Sequence, residues 1–406
     1  MASSLSKSTD LARKFIIFFI VFVIVVFVFD AFLQLLTPST TPPSGIDISS
    51  TGYLPADNLF GQLPKQPITA IPISPDTRAE YALTSILPSF PQVANVYKLL
   101  RPAETFGSVP RAINAANRLG FEGESFRNTS ENVLFWGTNN NTRTLTYNKV
   151  IEDWIYNVDT LKDPIGNLPN KNLELDKNFY QLRAGSLMNQ LGLGDNYFNQ
   201  ANSRVDFVNR NVEGQLSPVL RAIDARYVRI ALYKTIESAS LRENYKPEEN
   251  DDNPSQTILS DIRKQSYIEA PAVFLIQGKG DKPTEDIIQF KHRQFDIGER
   301  AVYVTITAEQ AWNRIQANQG YLYWLRPQDK NPFTSSESVR VTRFDALPEK
   351  TKIIYIEPDS WEANIPSTQF LQPYYMFEGI AKLEDGREAE FAFVIEALAA
   401  GNYLTE

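Results

Sequence analysis

A run of fifteen apolar residues near the start of the chain, FIIFFIVFVIVVFVF at positions 15–29, most limits what this sequence can fold into. Fifteen helical residues reach only about 22 Å, which is shorter than the roughly 30 Å of a bilayer's hydrocarbon core. Extending the helix to Leu36 gives about 33 Å. Asp30 and Gln34 then lie in its last third, where their side chains can reach toward the interface. We therefore predict a transmembrane helix over residues 15–36.

The charges around this run predict its orientation. Lys7, Arg13 and Lys14 precede it, and no charge follows the predicted span 15–36 before Asp47. Because basic residues flank the cytoplasmic end of a span, residues 1–14 become a cytoplasmic tail, and the body is predicted outside the cell membrane. A cleaved export signal is one alternative, but the run is long for that purpose and no small-residue cleavage pattern follows it. A buried soluble helix is the other, although such helices are rarely apolar on every side.

Composition excludes several classes of function. The 40 basic and 48 acidic residues give a net charge of −8, which does not favour nucleic-acid binding. The chain has no cysteine, which removes disulfides, thiolate nucleophiles and cysteine-ligated metals. Its single histidine, His292, argues against a histidine-based metal site. We therefore predict no cofactor and no metal.

The rest of the chain divides into a tether and three α+β modules. Residues 37–52 are rich in Ser, Thr and Pro, which is typical of a tether. The predicted modules are residues 53–160, 161–300 and 301–406, and an acidic stretch at 237–256 is predicted to be a solvated loop of the second. A chain of this length commonly holds two or three such units.

Each module shows a helix followed by strands. The predicted helices lie within 109–120, 176–195 and 307–320. Gly120, Gly192 and Gly320 are their expected stops, and Thr307 with Gln310 is the expected capping box of the third helix. The segment LEDGRE is the predicted turn of the last hairpin. The pattern favours tandem helix-on-antiparallel-sheet modules, with unrelated α+β segments as the alternative.

The last hundred residues resemble the carboxy-terminal region of membrane-anchored extracytoplasmic regulators of the YycI and YycH type. The resemblance rests on a T-x-E-x-A helix and a QPxYxFEG strand, here Thr307, Glu309, Ala311, Gln372, Pro373, Tyr375, Phe377, Glu378 and Gly379. It implies PepSY-like helix-on-sheet modules and a regulatory contact with another envelope or membrane protein. Proteins of the YycI type are shorter, however, and no kinase-binding element is identified in residues 53–300.

Few side chains stand out as chemical candidates. His292 lies in the strand IIQFKHRQFDI, where we expect a solvent-facing position. The stretch QGKGDKP at 277–283 lacks the spacing of a phosphate-binding loop and is predicted to be a turn. Trp324, Tyr374, Tyr375 and Phe377 are candidates for a partner-binding groove, with a place in the core as the alternative.

These observations favour a non-enzymatic binding protein, with a regulatory or scaffolding role in the cell envelope. It would contact the lipid bilayer through residues 15–36 and another envelope or membrane protein through its body. Two alternatives stay open: a carboxylate-dependent hydrolase acting on cell-wall polymer, and a structural subunit of a secretion or envelope complex.

Overall fold

The computed structural model describes residues 53–404 apart from 73–78, 101–106, 122–125, 131, 164–172, 195–197, 212, 242–256, 279–282, 294, 335–338, 361 and 363. Within those residues lie three α-helices and nineteen strands. The helices are α1 (Ser108–Arg118), α2 (Lys177–Leu191) and α3 (Ala308–Gln316). The strands are β1 (Glu80–Leu83), β2 (Val93–Leu100), β3 (Phe126–Ser130), β4 (Val133–Gly137), β5 (Arg143–Asn148), β6 (Asp153–Val158), β7 (Phe198–Arg210), β8 (Leu216–Pro218), β9 (Tyr227–Ala239), β10 (Ile258–Arg263), β11 (Ala272–Ile276), β12 (Ile287–Arg293), β13 (Asp296–Val304), β14 (Tyr321–Pro327), β15 (Val341–Ala346), β16 (Lys352–Ile356), β17 (Phe370–Leu371), β18 (Pro373–Leu383) and β19 (Glu388–Glu396).

Sixteen of the described strands form one mixed sheet. Its main path runs β1-β15-β18-β16-β10-β9-β11-β12-β6-β5-β4-β3, with β14 and β19 attached at β18 and with β7 and β8 attached at β9. Strands β13, β2 and β17 form a second sheet. The pairs β6–β12 and β10–β16 cross the module boundaries predicted at 160 and 300. The sheet therefore runs without a break through the segments that were predicted as separate modules.

The predicted fold class, a transmembrane helix followed by helix-on-antiparallel-sheet modules, is wrong. The described residues are mostly β, with three helices against a large mixed sheet. The physical reason is that an unpaired strand edge exposes backbone donors and acceptors. Edges that the sequence pattern assigned to different modules satisfy each other, as where β10 and β16 pair in parallel through Asp261 and Ile354.

The predicted location, anchored in the cell membrane with the body outside, is corrected as well. In the part of the chain that the structure describes, no helix is both long and apolar enough to cross a membrane. The predicted tail 1–14, span 15–36 and tether 37–52 lie outside the described residues, as does most of the predicted acidic loop.

The large sheet has two faces that differ in what covers them. We call the first the helix face: it bears Trp154 and Phe290, which pack with α1 and α2, and Phe377, which packs with α3. The three-stranded sheet also packs on this face, through Tyr97 and Ile236. Successive side chains of a strand point to opposite faces. The other face therefore carries the alternate residues, and we call it the groove face.

The groove face is defined by residues that lie opposite one another on adjacent strands. Ile155, Lys291, Val273 and Ala231 form one such row across β6, β12, β11 and β9. The connection between β10 and β11, residues 264–271, lies over this face, where Ala270 packs with Ala231. This connection positions the candidate site.

Local signals in the sequence predicted most of the helix ends that were named. Thr307 and Gln310 form the capping box at the start of α3, with Thr307 Oγ1 accepting from the Gln310 amide at 3.1 Å. Gly120 and Gly192 follow α1 and α2 with φ of +87° and +73°, a left-handed conformation that glycine adopts without strain. The hairpin β18–β19 also forms as predicted. These predictions are confirmed, but the stop predicted at Gly320 is wrong, because α3 ends at Gln316 with Ala317 as its C-cap residue.

Gly379, in the FEG motif of β18, occupies a position where the backbones are too close for a side chain. A Cβ at this residue would lie 2.1 Å from the carbonyl oxygen of Asp345 and 2.8 Å from the Cα of Ala346. The glycine therefore permits the close pairing of β18 with β15, which is a structural role.

Candidate functional site

The four aromatic residues predicted to bind a partner are all buried and do not share one surface. Tyr375 and Phe377 point to the helix face and pack with α3. Tyr374 lies in the core of the groove face. Trp324 is 5% exposed and lines a cavity on that face. The structure thus places three of them in the core, and only Trp324 borders a cavity.

His292 is buried, contrary to the solvent-facing position expected for it. It is 1% exposed and lies on the helix face, opposite Trp154 and Ala272. Its ring centroid is 5.7 Å from that of Phe198 and 6.0 Å from that of Phe290. The alternation of β12 contains the signal that was missed, because His292 shares a face with the apolar Phe290.

The environment of His292 keeps its ring neutral. Neither ring nitrogen has a hydrogen-bond partner. Burial lowers the pKa of His292 well below its usual value, and the positive charges of Lys234, Lys264 and Arg111 lower it further. A charged imidazolium is therefore strongly disfavoured at this position.

The connection 264–271 is fixed on the groove face by hydrogen bonds at its middle. Tyr267 donates its hydroxyl to the Glu378 carboxylate at 2.5 Å. Arg229 donates to the backbone carbonyl of Ile268 at 2.7 Å. Hydrogen bonds to charged groups stabilise by about 1.5–3 kcal/mol each. These bonds fix the position of the connection, and the cavities beside it are therefore preformed.

Three cavities on the groove face meet at this connection. Their volumes are about 260, 530 and 730 Å³. The first two share Tyr267, and the second and third share Ile268, Glu269 and Asp359. Ligand pockets commonly measure about 300–1,000 Å³, so the two larger cavities have a suitable size.

The largest cavity, which we call the groove, has an amphipathic floor. Ile155, Lys291 and Val273 form that floor side by side on β6, β12 and β11, and Leu216 and Phe333 also line the groove. Ile155 is 41% exposed, so its apolar surface is available to a ligand.

The cations that line the groove differ in whether they have partners. Arg229 lies 3.3 Å from Asp206, and its guanidinium is 5.4 Å from the ring centroid of Phe333. Lys264 is in contact with the Glu357 carboxylate. Lys291 is exposed and forms no ion pair with the described residues. It is therefore the groove cation that is free for a ligand carboxylate.

Asp153 is the acidic residue of the groove with a shifted pKa. Burial raises the pKa of its carboxyl group, and the nearby positive charge of Arg293, whose Nε lies 3.7 Å from the carboxylate, opposes that shift. A carboxyl group with a raised pKa is a candidate proton donor.

The smallest cavity is lined by compensated charges. The Arg263 guanidinium lies 4.1 Å from the ring centroid of Tyr233 and pairs with Asp261 at 2.9 Å. Lys352 lies 3.8 Å from Asp261 and 3.8 Å from Glu378. These pairs resemble the solvated polar face of an antiparallel sheet more than a ligand site.

Comparisons with known proteins add no relative. No protein-family model matches the chain, and neither the curated proteins nor the solved structures contain a match. The resemblance to regulators of the YycI and YycH type therefore stays a prediction. Within the described residues, no group of three potential ligand side chains is arranged to hold a metal ion.

Proposed function

We propose that this protein acts by binding another protein, in a regulatory or scaffolding contact, and that the groove receives a polypeptide segment of that partner. The segment carries an apolar side chain next to a carboxylate. The apolar side chain lies on Ile155 and Val273, and the carboxylate pairs with Lys291.

The single observation that carries this proposal is the position of Lys291. An exposed lysine without an ion pair lies between two apolar side chains on the floor of a cavity of about 730 Å³. The structural alternative is an ordinary solvated lysine on a strand. A ligand is favoured because Lys291 lies in an enclosed space. Leu216 on β8 and Phe333 after β14 border the same cavity.

The way the border is built supports a preformed site. Asn331 donates its side-chain amide to the carbonyl of Leu216 at 2.5 Å, which joins the segment after β14 to the start of β8. A border that is already ordered lowers the entropy cost of binding.

The proposal is tested with the full chain by co-purification and crosslinking from cells that express it, comparing Lys291→Glu with Lys98→Glu. Lys98 is an exposed lysine on β2, in the three-stranded sheet, so its replacement makes the same charge change away from the groove. We expect Lys291→Glu to weaken recovery of the partner about tenfold or more, because it places like charges opposite each other. We expect Lys98→Glu to behave as the wild type. Equal recovery by both variants contradicts the proposal.

Asp153 supports a second candidate function, a carboxylate-dependent hydrolase acting on polysaccharide. Its raised pKa suits a general acid, and Glu269 and Asp359 supply further carboxylates in the same groove. Under this function, Asp153→Asn abolishes turnover of a polysaccharide substrate and leaves partner recovery unchanged. If the protein only binds a partner, neither the wild type nor Asp153→Asn turns over a polysaccharide.

A further inference from the structure

The cavity of about 530 Å³ next to the groove has aromatic walls. Tyr267, Tyr323 and Trp324 line it, and the Tyr267 and Trp324 rings are stacked with centroids 5.0 Å apart and planes 17° apart. Tyr323 meets Tyr267 edge to face at 5.7 Å, and its hydroxyl donates to the carbonyl of Lys264. The phenol oxygens of Tyr267 and Tyr323 are thus both engaged, and their rings form a fixed wall.

The charges that line this cavity are all negative. Glu269 and Asp359 are exposed carboxylates at its border, and neither forms an ion pair with the described residues. The remaining lining residues that the structure describes are neutral. The nearby cations are occupied elsewhere: Lys264 contacts Glu357, and Arg293 donates to the backbone carbonyl of Asp359 at 2.5 Å.

Aromatic faces and uncompensated carboxylates favour the same kind of ligand. The face of an aromatic ring is the negative pole of its quadrupole, so it attracts cations. Lysine and methylated lysine combine an apolar stem with a cationic head, and choline carries three methyl groups on its cationic nitrogen. Such a ligand contacts the rings through its methylene or methyl groups and the two carboxylates through its charge.

We propose that this cavity is a binding site for an organic alkylammonium group, such as a lysine side chain, its methylated form or free choline. The proposal stands whether or not the groove binds a polypeptide. Glu269 and Asp359 repel anions in this cavity, because no cation is among its described lining residues, and neutral ligands lack the charge that these carboxylates complement.

The experiment uses the purified full chain and calorimetric titration with choline, with N-acetyl-lysine methylamide and with 3,3-dimethylbutan-1-ol, the neutral isostere of choline. We expect choline to bind about tenfold more tightly than its isostere, because cation–π attraction of about 1–2 kcal/mol is lost without the charge. Tighter binding of the lysine derivative than of choline identifies a protein side chain as the natural ligand, and the reverse order identifies a free small molecule.

Variants separate this site from the groove. The double variant Glu269→Gln/Asp359→Asn removes the two charges at exposed positions and is expected to weaken choline binding at least several-fold. Lys291→Ala, on the groove floor, is expected to bind choline no more weakly than the wild type. Equal binding of choline and its neutral isostere, unchanged binding by the double variant, or no binding of either cation overturns the proposal.

Discussion

The two faces of the large sheet carry different kinds of side chain on the same strands. On β6, Trp154 points to the helix face and is 1% exposed, whereas its neighbour Ile155 points to the groove face and is 41% exposed. On β12, the buried His292 alternates with the exposed Lys291. On these two strands the helix face is therefore buried, and the groove face keeps exposed side chains, which the proposed binding function requires.

Two ion pairs, one on each side of the sheet, differ in how exposed their side chains are. Between α2 and the start of β12, Arg183 and Asp286 pair at 2.6 Å with side chains only 7% and 1% exposed. On β7 the pair Arg204–Asp206, at 2.9 Å, has side chains 48% and 17% exposed. A buried pair is costly to break, and an exposed one contributes little.

The largest expected contrast is between adjacent residues of β6. Trp154→Ala removes a buried aromatic ring that packs on Tyr147 at 4.2 Å, and we expect it to lower the free energy of unfolding by about 3–5 kcal/mol. Ile155→Ala removes partly exposed surface and is expected to cost about 1 kcal/mol or less. Denaturant unfolding followed by circular dichroism measures both. Similar losses for the two variants contradict the assignment of these residues to different faces.

Ion pairs give the second contrast. Arg183→Leu leaves the buried Asp286 carboxylate without its arginine partner, and we expect a loss of about 3–5 kcal/mol in the free energy of unfolding. Arg204→Leu removes a half-exposed cation while Arg229 stays beside Asp206, and we expect a change of about 1 kcal/mol or less. A large loss for Arg204→Leu, measured by the same unfolding experiment, means that the Arg204–Asp206 pair is structural despite its exposure.

The sequence predicted those features of the fold that are specified within a few residues. The capping box at Thr307 and Gln310 needs two side chains three residues apart, and the stop at Gly192 needs one glycine with a positive φ. Both follow from local chemistry, so both could be read from the sequence.

The pairing of distant strands could not be read in this way. The apolar and β-branched residues of Lys352–Ile356 are typical of a strand, but nothing in that segment specifies that Ile354 lies opposite Asp261 of β10. The cavities depend on such pairings and on the path of residues 264–271. The candidate site therefore could not be predicted from the sequence either. Trp324 and Tyr375 were both named as aromatic side chains, but Trp324 lies at a cavity and Tyr375 lies in the core.

The smallest expected effect is the pH dependence of stability caused by the buried His292, and it is absent at neutral pH. The pKa of His292 is lowered in the folded protein. At about pH 6.5 its imidazole therefore becomes protonated in the unfolded chain while it stays neutral in the folded chain. His292 therefore does not reduce the free energy of unfolding above about pH 6.5, and it reduces that free energy increasingly as the pH falls below this value. The groups that maintain the shift are the surrounding apolar core and the charges of Lys234, Lys264 and Arg111.

His292→Leu tests this effect, because it fills a similar volume and removes two ring nitrogens that have no hydrogen-bond partner. At pH 7.5 we expect the variant to be as stable as the wild type or slightly more stable. Between pH 6.5 and 5 the wild type should lose more stability than the variant. Burial raises the pKa of Glu152, which works in the opposite direction at lower pH, but this contribution is common to both proteins and cancels in their difference. The single histidine can also be titrated directly by NMR. A normal pKa near 6.5 in the folded protein, or identical pH profiles for the two proteins, contradicts the burial of His292 on the helix face.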